Sequence, residues 1–202
     1  WKQKLPRLES LSRDDHIIQQ CASLMLDFLI VGQGIAGSVL AWELLQRGKR
    51  LIVINNQQTN YASSAAAGIY NPITGKSMVK TWMADALFPQ LIRFYQEVGQ
   101  ALSASFLYPT PLFRPFITHQ ERTKWLSQAN HHDYSSFVQA VVEGTYQQQH
   151  MVYQHGGLLL QQAGYLNVVH FLNTMRAHLV ERGSYKEQDF AYKALELHAD
   201  HV

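Results

Sequence analysis

The first clear pattern in this chain consists of two short apolar runs separated by a segment with helical periodicity. The runs Phe28–Val31 and Leu51–Ile54 are typical of strands buried on both faces of a parallel sheet. Between them, apolar residues recur at every fourth position, which predicts a helix over Ile35–Arg47 that ends at Gly48. Two strands joined by one helix form a βαβ unit, whose crossover is right-handed.

The middle of the chain has a different texture. A stripe of apolar residues predicts a helix over 79–102, which Pro89 either starts or kinks. From 106 to 160, prolines and glycines break up short β-like runs, as is typical of an antiparallel sheet. These runs are Phe106–Tyr108, Leu112–Ile117, Phe137–Val142, His150–Tyr153 and Leu158–Gln161.

A second clear helix follows towards the end of the chain. Asn167 suits its N-cap and Gly183 suits its stop. Residues 188–198 are expected to form one or two final strands. Residues 1–24 are mixed and polar, and no function is assigned to them.

Composition narrows the class of protein. Hydrophobic residues make up 47% and charged residues 16% of the 202 positions, which suits a globular protein with a substantial core. The net charge of +2 is too small to favour nucleic acid or an anionic membrane as a main partner. No apolar run reaches the roughly 18 residues of a membrane span. A single cysteine, Cys21, fits a reducing compartment, so we expect a cytoplasmic protein.

The turn between the first strand and the helix has the pattern G-x-G-x-x-G over 32–37. Gly32 permits a tight turn, Gly34 lets the backbone approach a diphosphate, and Gly37 allows the helix to pack closely on the strand. The N–H groups and positive dipole at the helix start favour phosphate groups. The order of elements, which is strand, turn, helix and strand, meets the conditions of a dinucleotide-binding fingerprint. The alternative is an ordinary glycine-rich turn between a strand and a helix.

Two later segments refine this prediction. The fingerprint expects an acidic residue at the tip of the second strand, and this chain has Asn55 followed by Asn56. An amide can still bind ribose hydroxyls, although without charge. The stretch from Ser63 to Lys76 is rich in small and hydroxyl-bearing residues, which suits backbone lying against a phosphate and a flat ring. Tight packing explains the same composition equally well.

The fingerprint, taken with the sequence Ala-Ser-Ser-Ala-Ala-Ala-Gly-Ile over 62–69, resembles the D-amino-acid oxidase family of flavoproteins. Glycine oxidase, sarcosine oxidase-like enzymes and the FAD domain of a bifunctional tRNA wobble-uridine modification enzyme belong to that family. The resemblance covers residues 25–200 and is specific over 28–76. It implies an α/β fold, with a Rossmann-like FAD-binding domain (a βαβ unit and a parallel sheet) and an inserted antiparallel-sheet substrate domain.

The resemblance also implies a role in FAD binding for each matching position. The pyrophosphate would be cradled by Gly32, Gly34, Ile35, Ala36 and Gly37. Asn55 and Asn56 would hold the adenosine ribose. The stretch from diphosphate to flavin would be lined by Ser63, Ser64, Ala67, Gly68 and Ile69. The backbone near Phe190 would pair with adenine.

The implied domain organisation starts with an extension over 1–24. The FAD-binding domain would consist of a first segment over 25–78 and a return segment over 157–202, with the substrate domain over 79–156. Full members of the family are longer than 202 residues, so the chain resembles the N-terminal portion of such a member.

The implied activity is oxidation of the C–N bond of an amino acid or related amine to an imine, with hydride transfer to FAD. No catalytic residue is assigned, because the flavin itself performs the redox step. Three alternatives remain: an FAD-dependent tRNA wobble-uridine modification enzyme, an NAD-binding dehydrogenase, and a non-catalytic nucleotide-binding fragment.

Other candidate groups favour structural roles. The ten histidines show no matching acidic or cysteine partners in ligand patterns, so no metal is expected. Arg114 could meet a substrate carboxylate, but arginines are more often exposed or ion-paired. Trp82 and Tyr95 could face a flavin pocket, but such helix stripes are more often core.

Overall fold

The computed structural model describes residues 26–56, 62–75, 77–129, 131–148 and 151–195. These residues divide into two compact units. The first unit contains 26–56 and 175–195, and the second contains the described residues of 62–174. Each unit is built around its own sheets, and the two are described separately below.

A parallel sheet forms the centre of the first unit. Its strands are β1 (Phe28–Val31), β2 (Leu51–Asn55) and β13 (Tyr185–Glu187), in the order β1-β2-β13. Helix α1 (Ile35–Gln46) connects β1 to β2, which confirms the predicted βαβ unit. Helix α6 (Val168–Glu181) precedes β13, and its C-terminal half belongs to this unit. The predicted α/β class with a parallel sheet is therefore confirmed.

Burial in this sheet is uneven. Residues Leu51 to Ile54 of β2 are all buried, because β2 is the middle strand. In β1 only Ile30 is buried, so the expectation that both strands are buried on both faces is wrong for β1. The physical reason is position, since β1 forms one edge of the described sheet.

The second unit carries three antiparallel sheets of its own and a further antiparallel hairpin, in agreement with the predicted texture. Its strand orders are β7-β11-β8, β3-β12-β6, β4-β5 and β10-β9. The strands are β3 (Ile69–Tyr70), β4 (Ile73–Thr74), β5 (Val79–Lys80), β6 (Leu107–Pro109), β7 (Leu112–Pro115), β8 (Val138–Val142), β9 (Tyr146–Gln148), β10 (Met151–Tyr153), β11 (Gly157–Leu160) and β12 (Gly164–Leu166).

Helices complete the second unit. They are α2 (Ala62–Ala65), α3 (Ala84–Ala101), α4 (His119–Ala129), α5 (His132–Ser135) and the first half of α6. Pro89 lies inside α3 rather than at its start. The predicted N-cap of α6 is confirmed, because the Asn167 Oδ1 accepts a hydrogen bond from the His170 N–H at 3.0 Å. Aromatic and aliphatic side chains fill the core, including Phe88 and Phe137, whose ring centroids lie 6.3 Å apart.

The C-terminal strand differs from the expectation for 188–198. The strand lies earlier, at Tyr185–Glu187, and the described residues after it carry a single 3-10 turn over Tyr192–Ala194. The register of β13 on β2 accounts for this, because the Asn55 carbonyl accepts the Gln188 N–H and the pairing ends there. Within the described part of the chain, no helix is long and apolar enough to cross a membrane.

Candidate functional site

The glycine-rich turn lies between β1 and α1, as predicted. Gly32 has φ +96°, a conformation that side-chain-bearing residues rarely adopt, and its N–H donates to the Ile54 carbonyl at 2.7 Å. A Cβ atom on Gly37 would overlap the carbonyl oxygen of Gly32. The turn and the helix therefore fit together only because both positions are glycine.

The N-terminus of α1 has the positive end of the helix dipole and no acidic side chain in its first turn. Gly34 is the N-cap in an extended conformation, and no side chain caps the helix there. No acidic residue lies in the first turn, where Ile35 is half-buried and Ala36 is exposed. Backbone N–H groups at a helix start attract anions, and here no carboxylate of the first turn competes for them. The turn thus has the features of a diphosphate site, because no side chain caps the helix and the positive end of the helix dipole lies there.

Gln33, the residue between the first two glycines, is 1% exposed and joins three parts of the first unit. Its backbone N–H donates to the Asn55 Oδ1 at 2.9 Å. Its side-chain Nε2 donates to the Ser38 Oγ at 3.3 Å, and its Oε1 accepts from the Arg176 Nε at 2.9 Å. Because a buried amide needs all of these partners, the network holds the turn in one conformation.

Arg176 is the cation of this network. It lies on α6, half-buried, with its guanidinium 5.7 Å from the centroid of the Tyr185 ring. The ion pairs found among the described residues do not include Arg176. Its positive charge therefore stands beside the glycine-rich turn without an ion-pair partner in the described part of the chain. The sequence gives one signal of this arrangement, a polar side chain between the first two glycines, and sequence reasoning did not use it.

The tip of β2 carries the two asparagines expected to contact ribose. The Asn55 amide Nδ2 donates to the Asn56 carbonyl at 2.8 Å, while its Oδ1 accepts the Gln33 N–H. The Asn56 Nδ2 donates to the Asp189 Oδ1 at 2.9 Å. Asn55 is therefore part of the support of the turn, and Asp189 brings a carboxylate to the tip of β2. Sequence reasoning missed Asp189, which lies 133 positions from Asn56.

The second small-residue segment lies in the other unit. Ser63 and Ser64 lie in α2, Ala67 is exposed, and Ile69 is 69% exposed on β3. Gly68 has φ +71°, its carbonyl accepts the Leu166 N–H at 2.9 Å, and a Cβ on it would overlap the Leu166 carbonyl oxygen. Tight packing on β12 therefore explains this glycine within its own unit. A role for the segment in binding flavin remains a prediction.

Arg114 and Tyr95 have structural surroundings, whereas the expectation that Trp82 belongs to a helix core is wrong, because Trp82 precedes α3 and is exposed. The Arg114 Nη2 donates to the Gly75 carbonyl, and its guanidinium lies 4.3 Å from the centroid of the Trp125 ring. Burial lowers the pKa of Arg114, which the nearby Glu121 partly offsets. Tyr95 packs in the core against Phe171, and burial raises its pKa to about 12. Trp82 is 78% exposed.

One cluster of candidate metal ligands, which includes histidines, is found among the described residues. His131, His132 and Asp133 bring their ligand atoms within 4.8 Å of one another, and all three are exposed. The expectation that these histidines lack an acidic partner is wrong, because the next residue along the chain supplies it. The Asp133 carboxylate lies 3.3 Å from the His131 Nδ1 and 2.9 Å from the His132 Nε2, which is an ordinary surface ion-pair arrangement. Cys21 and residues 1–24 lie outside the described residues.

Solved structures similar to this chain include two glycine oxidases and an L-amino acid deaminase. Glycine oxidase from Geobacillus kaustophilus matches with a TM-score of 0.59 and 15% identity, over 81% of this chain and 46% of that one. Glycine oxidase from Bacillus cereus matches with a TM-score of 0.56 and 17% identity, over 81% and 47%. L-amino acid deaminase from Proteus vulgaris matches with a TM-score of 0.54 and 15% identity, over 80% and 39%. The chain thus spans about half the length of the glycine oxidases and shares their fold.

A family model described as "FAD dependent oxidoreductase" matches residues 27–187. This range covers both units, from the first residues of the parallel sheet to the end of β13. The match agrees with the resemblance found from the fingerprint and the second small-residue segment, and FAD is the cofactor that this family implies. The chain belongs to the FAD-dependent oxidoreductase family of D-amino-acid oxidase type.

Proposed function

We propose that this chain binds the ADP half of FAD at the glycine-rich turn and works as the FAD-binding portion of an amine-oxidising enzyme. The observation that carries the proposal is the turn itself, in which Gly32 has φ +96°, a Cβ on Gly37 would overlap the Gly32 carbonyl oxygen, and α1 begins without an acidic residue. Gly34, Ile35, Ala36 and Gly37 would hold the diphosphate through backbone N–H groups, and Gly32, whose N–H donates to Ile54, would shape the turn around it.

The chain's own residues have two tasks in this proposal. The network of Gln33, Ser38 and Arg176 keeps the turn in its binding conformation, and the guanidinium adds positive charge near the diphosphate. Asn55 holds the turn from the tip of β2 through the Gln33 N–H. The segment containing Ser63, Ser64, Ala67, Gly68 and Ile69 would continue along the cofactor towards the flavin.

The proposed reaction is oxidation of the C–N bond of an amino acid or related amine to an imine. Bound flavin would supply the redox chemistry by accepting the hydride. Support comes from the family match and from similar structures named glycine oxidase and L-amino acid deaminase. A cytoplasmic location belongs to the same proposal and rests on the single cysteine.

Cofactor binding is tested first by titrating the purified protein with FAD and, separately, with NADH. We expect FAD to bind in a 1:1 ratio, with flavin absorption that stays with the protein on gel filtration. A folded protein that binds NADH in preference to FAD would show the dehydrogenase alternative instead. A folded protein that binds neither would overturn the proposal.

Turnover is tested separately, by following hydrogen peroxide and imine hydrolysis products with a panel of amino acids and secondary amines. Activity on a small amine, with no activity on tRNA bearing a carboxymethylaminomethyl-modified wobble uridine, supports the proposed reaction. The reverse result would favour the tRNA modification enzyme. FAD binding without turnover of either kind would favour a non-catalytic nucleotide-binding fragment.

A further inference from the structure

The carboxyl ends of β2 and β13 lie side by side, because the two strands pair in parallel with Glu187 opposite Asn55. Beyond these ends, the Asn56 Nδ2 donates to the Asp189 Oδ1 at 2.9 Å. An exposed carboxylate therefore stands at the tip of β2, although β2 itself ends in two neutral amides. Ligands of open parallel sheets bind at this edge of the strands.

Asn55 is poorly placed to replace the missing acid alone. Its Oδ1 already accepts the Gln33 N–H at 2.9 Å, and its Nδ2 donates to the Asn56 carbonyl at 2.8 Å. Both groups are thus engaged in holding the turn, with only their remaining lone pair and proton left for a ligand. The Asn56 amide, in turn, is oriented by Asp189.

We propose that Asp189 is the acceptor for the 2′- and 3′-hydroxyl groups of the adenosine ribose, in the place of the acid that β2 lacks. This inference rests on the proposed binding of FAD. A carboxylate accepts two hydroxyl hydrogen bonds at once and makes stronger ones than a neutral amide does. Asp189 can do so while one of its oxygens keeps the Asn56 N–H, because each carboxylate oxygen accepts more than one hydrogen bond.

The same carboxylate also bears on the choice between cofactors. A negative charge at the ribose repels a 2′-phosphate, so Asp189 would restore the discrimination that the neutral Asn55 does not supply. The competing acid is Glu187, the last residue of β13, because it lies opposite Asn55 in the register. Glu187 already takes part in an interaction of its own.

The test compares the binding of ADP, 2′-deoxy-ADP and adenosine 2′,5′-bisphosphate to the protein by calorimetry. We expect the unaltered protein to bind ADP about 10-fold more tightly than 2′-deoxy-ADP, since a hydrogen bond to a charged acceptor is lost. In Asp189→Asn this ratio should fall below about 3-fold, while binding of adenosine 2′,5′-bisphosphate should strengthen. Asp189→Glu should retain the preference for ADP.

Glu43→Gln is the matched control, because Glu43 is another carboxylate of the first unit, lies in α1, and forms an ion pair with Arg47 rather than with Asn55 or Asn56. Its ratio of ADP to 2′-deoxy-ADP affinity should equal that of the unaltered protein. Far-UV circular dichroism checks that every variant is folded, which we expect because Asp189 is exposed.

The possible results distinguish failure of the role of Asp189 from failure of the proposed FAD binding. Equal binding of ADP and 2′-deoxy-ADP by the unaltered protein overturns the role of Asp189, and so does an unchanged ratio in Asp189→Asn. Loss of the ratio in Glu187→Gln but not in Asp189→Asn assigns the role to Glu187 and overturns the inference. A folded protein that binds neither ADP nor FAD refutes the proposed function itself, and the inference fails with it.

Discussion

The interiors of the two units differ in polarity. Among the described residues, the buried polar side chains are Gln33, Ser38 and Ser184, and all three lie in the first unit. The core of the second unit is built from aromatic and aliphatic side chains such as Phe88, Trp125 and Phe137, with two buried tyrosines, Tyr70 and Tyr95. Burying a polar group costs free energy unless it is hydrogen-bonded, so an apolar core is the simpler route to stability. Gln33 and Ser38 are joined by a hydrogen bond at the glycine-rich turn, which is the proposed diphosphate site, whereas Ser184 immediately precedes β13.

Two glycines show the same contrast. Gly37 and Gly68 each face a carbonyl oxygen so closely that a Cβ would overlap it. The carbonyl at Gly37 belongs to Gly32, in the turn at the start of α1, whereas the carbonyl at Gly68 belongs to Leu166 on β12. The two glycines meet the same steric need in different places, because only Gly37 lies at the helix start that is the proposed diphosphate site.

Replacement of Gly37 should have the largest effect on FAD binding. In Gly37→Val the new side chain meets the Gly32 carbonyl, so the turn or the helix must move. We expect FAD affinity to fall by about 100-fold or more and the free energy of unfolding by about 1–3 kcal/mol. Gln46→Val, at an exposed position of the same helix, is the control and should bind FAD normally. Normal FAD affinity in folded Gly37→Val would contradict the assignment of the turn.

Replacement of Gln33 separates stability from binding. Gln33→Leu leaves Arg176 and Ser38 without their amide partner, and we expect the free energy of unfolding to fall by about 1.5–3 kcal/mol. Gln33→Glu should recover much of that loss, since a carboxylate can accept from Arg176, yet bind FAD more weakly because of its negative charge. Urea unfolding and FAD titration measure the two quantities. Gln33→Glu that binds FAD as tightly as the unaltered protein would exclude a diphosphate beside this residue.

Replacement of Gly68 tests the other side of the contrast. Gly68→Ala puts a Cβ against the Leu166 carbonyl at a φ of +71°, so we expect the free energy of unfolding to fall by about 1–3 kcal/mol. Affinity for ADP should stay within about 2-fold, because the proposed adenosine and diphosphate contacts belong to the first unit. Gly144→Ala is the control, since Gly144 has a similar φ of +70° but open space around it. Equal losses of unfolding free energy in both variants would show that backbone strain, and not overlap with the Leu166 carbonyl, causes the loss in Gly68→Ala.

The smallest expected effect is a pH dependence within the first unit. Burial, with a further contribution from Arg182, lowers the pKa of His178 below 6.5, and its ring packs 5.6 Å from that of Trp42. The unfolded chain then takes up the proton first, so stability is full above pH 6.5 and declines as the pH falls through the lowered pKa.

Urea unfolding between pH 8 and pH 5 measures this decline. His178→Phe, which keeps a ring beside Trp42, should flatten it, whereas His119→Gln at an exposed position should leave it unchanged. An identical decline in His178→Phe would contradict this role of His178.

The local parts of the fold could be predicted from the sequence. Helix α1 ends within one residue of its predicted bound, and the turn, the first two strands and the N-cap Asn167 are where the patterns placed them. Glycine positions and apolar periods report such features because they act over a few residues. The apolar pattern did not predict strand β13 at its true position, because its sequence, Tyr-Lys-Glu, contains no apolar run. The strand lies at the edge of the described sheet.

The polar contacts of the site could not be predicted in this way. Gln33 and Arg176 are 143 positions apart, and Asn56 and Asp189 are 133 apart, so no local pattern links either pair. The contact of Asn56 with Asp189 follows from the parallel pairing of β13 with β2, and the contact of Gln33 with Arg176 depends on the position of α6. The same reason applies to Asp189, since a single aspartate after an edge strand carries no signal until the strand is in place.

A crystal structure of the protein with ADP tests the central claim most directly. The account predicts diphosphate oxygens about 2.7–3.2 Å from backbone N–H groups of the turn over Gly32–Gly37, at the start of α1. Diphosphate bound elsewhere on the protein, with the turn closed off by neighbouring side chains, would contradict it.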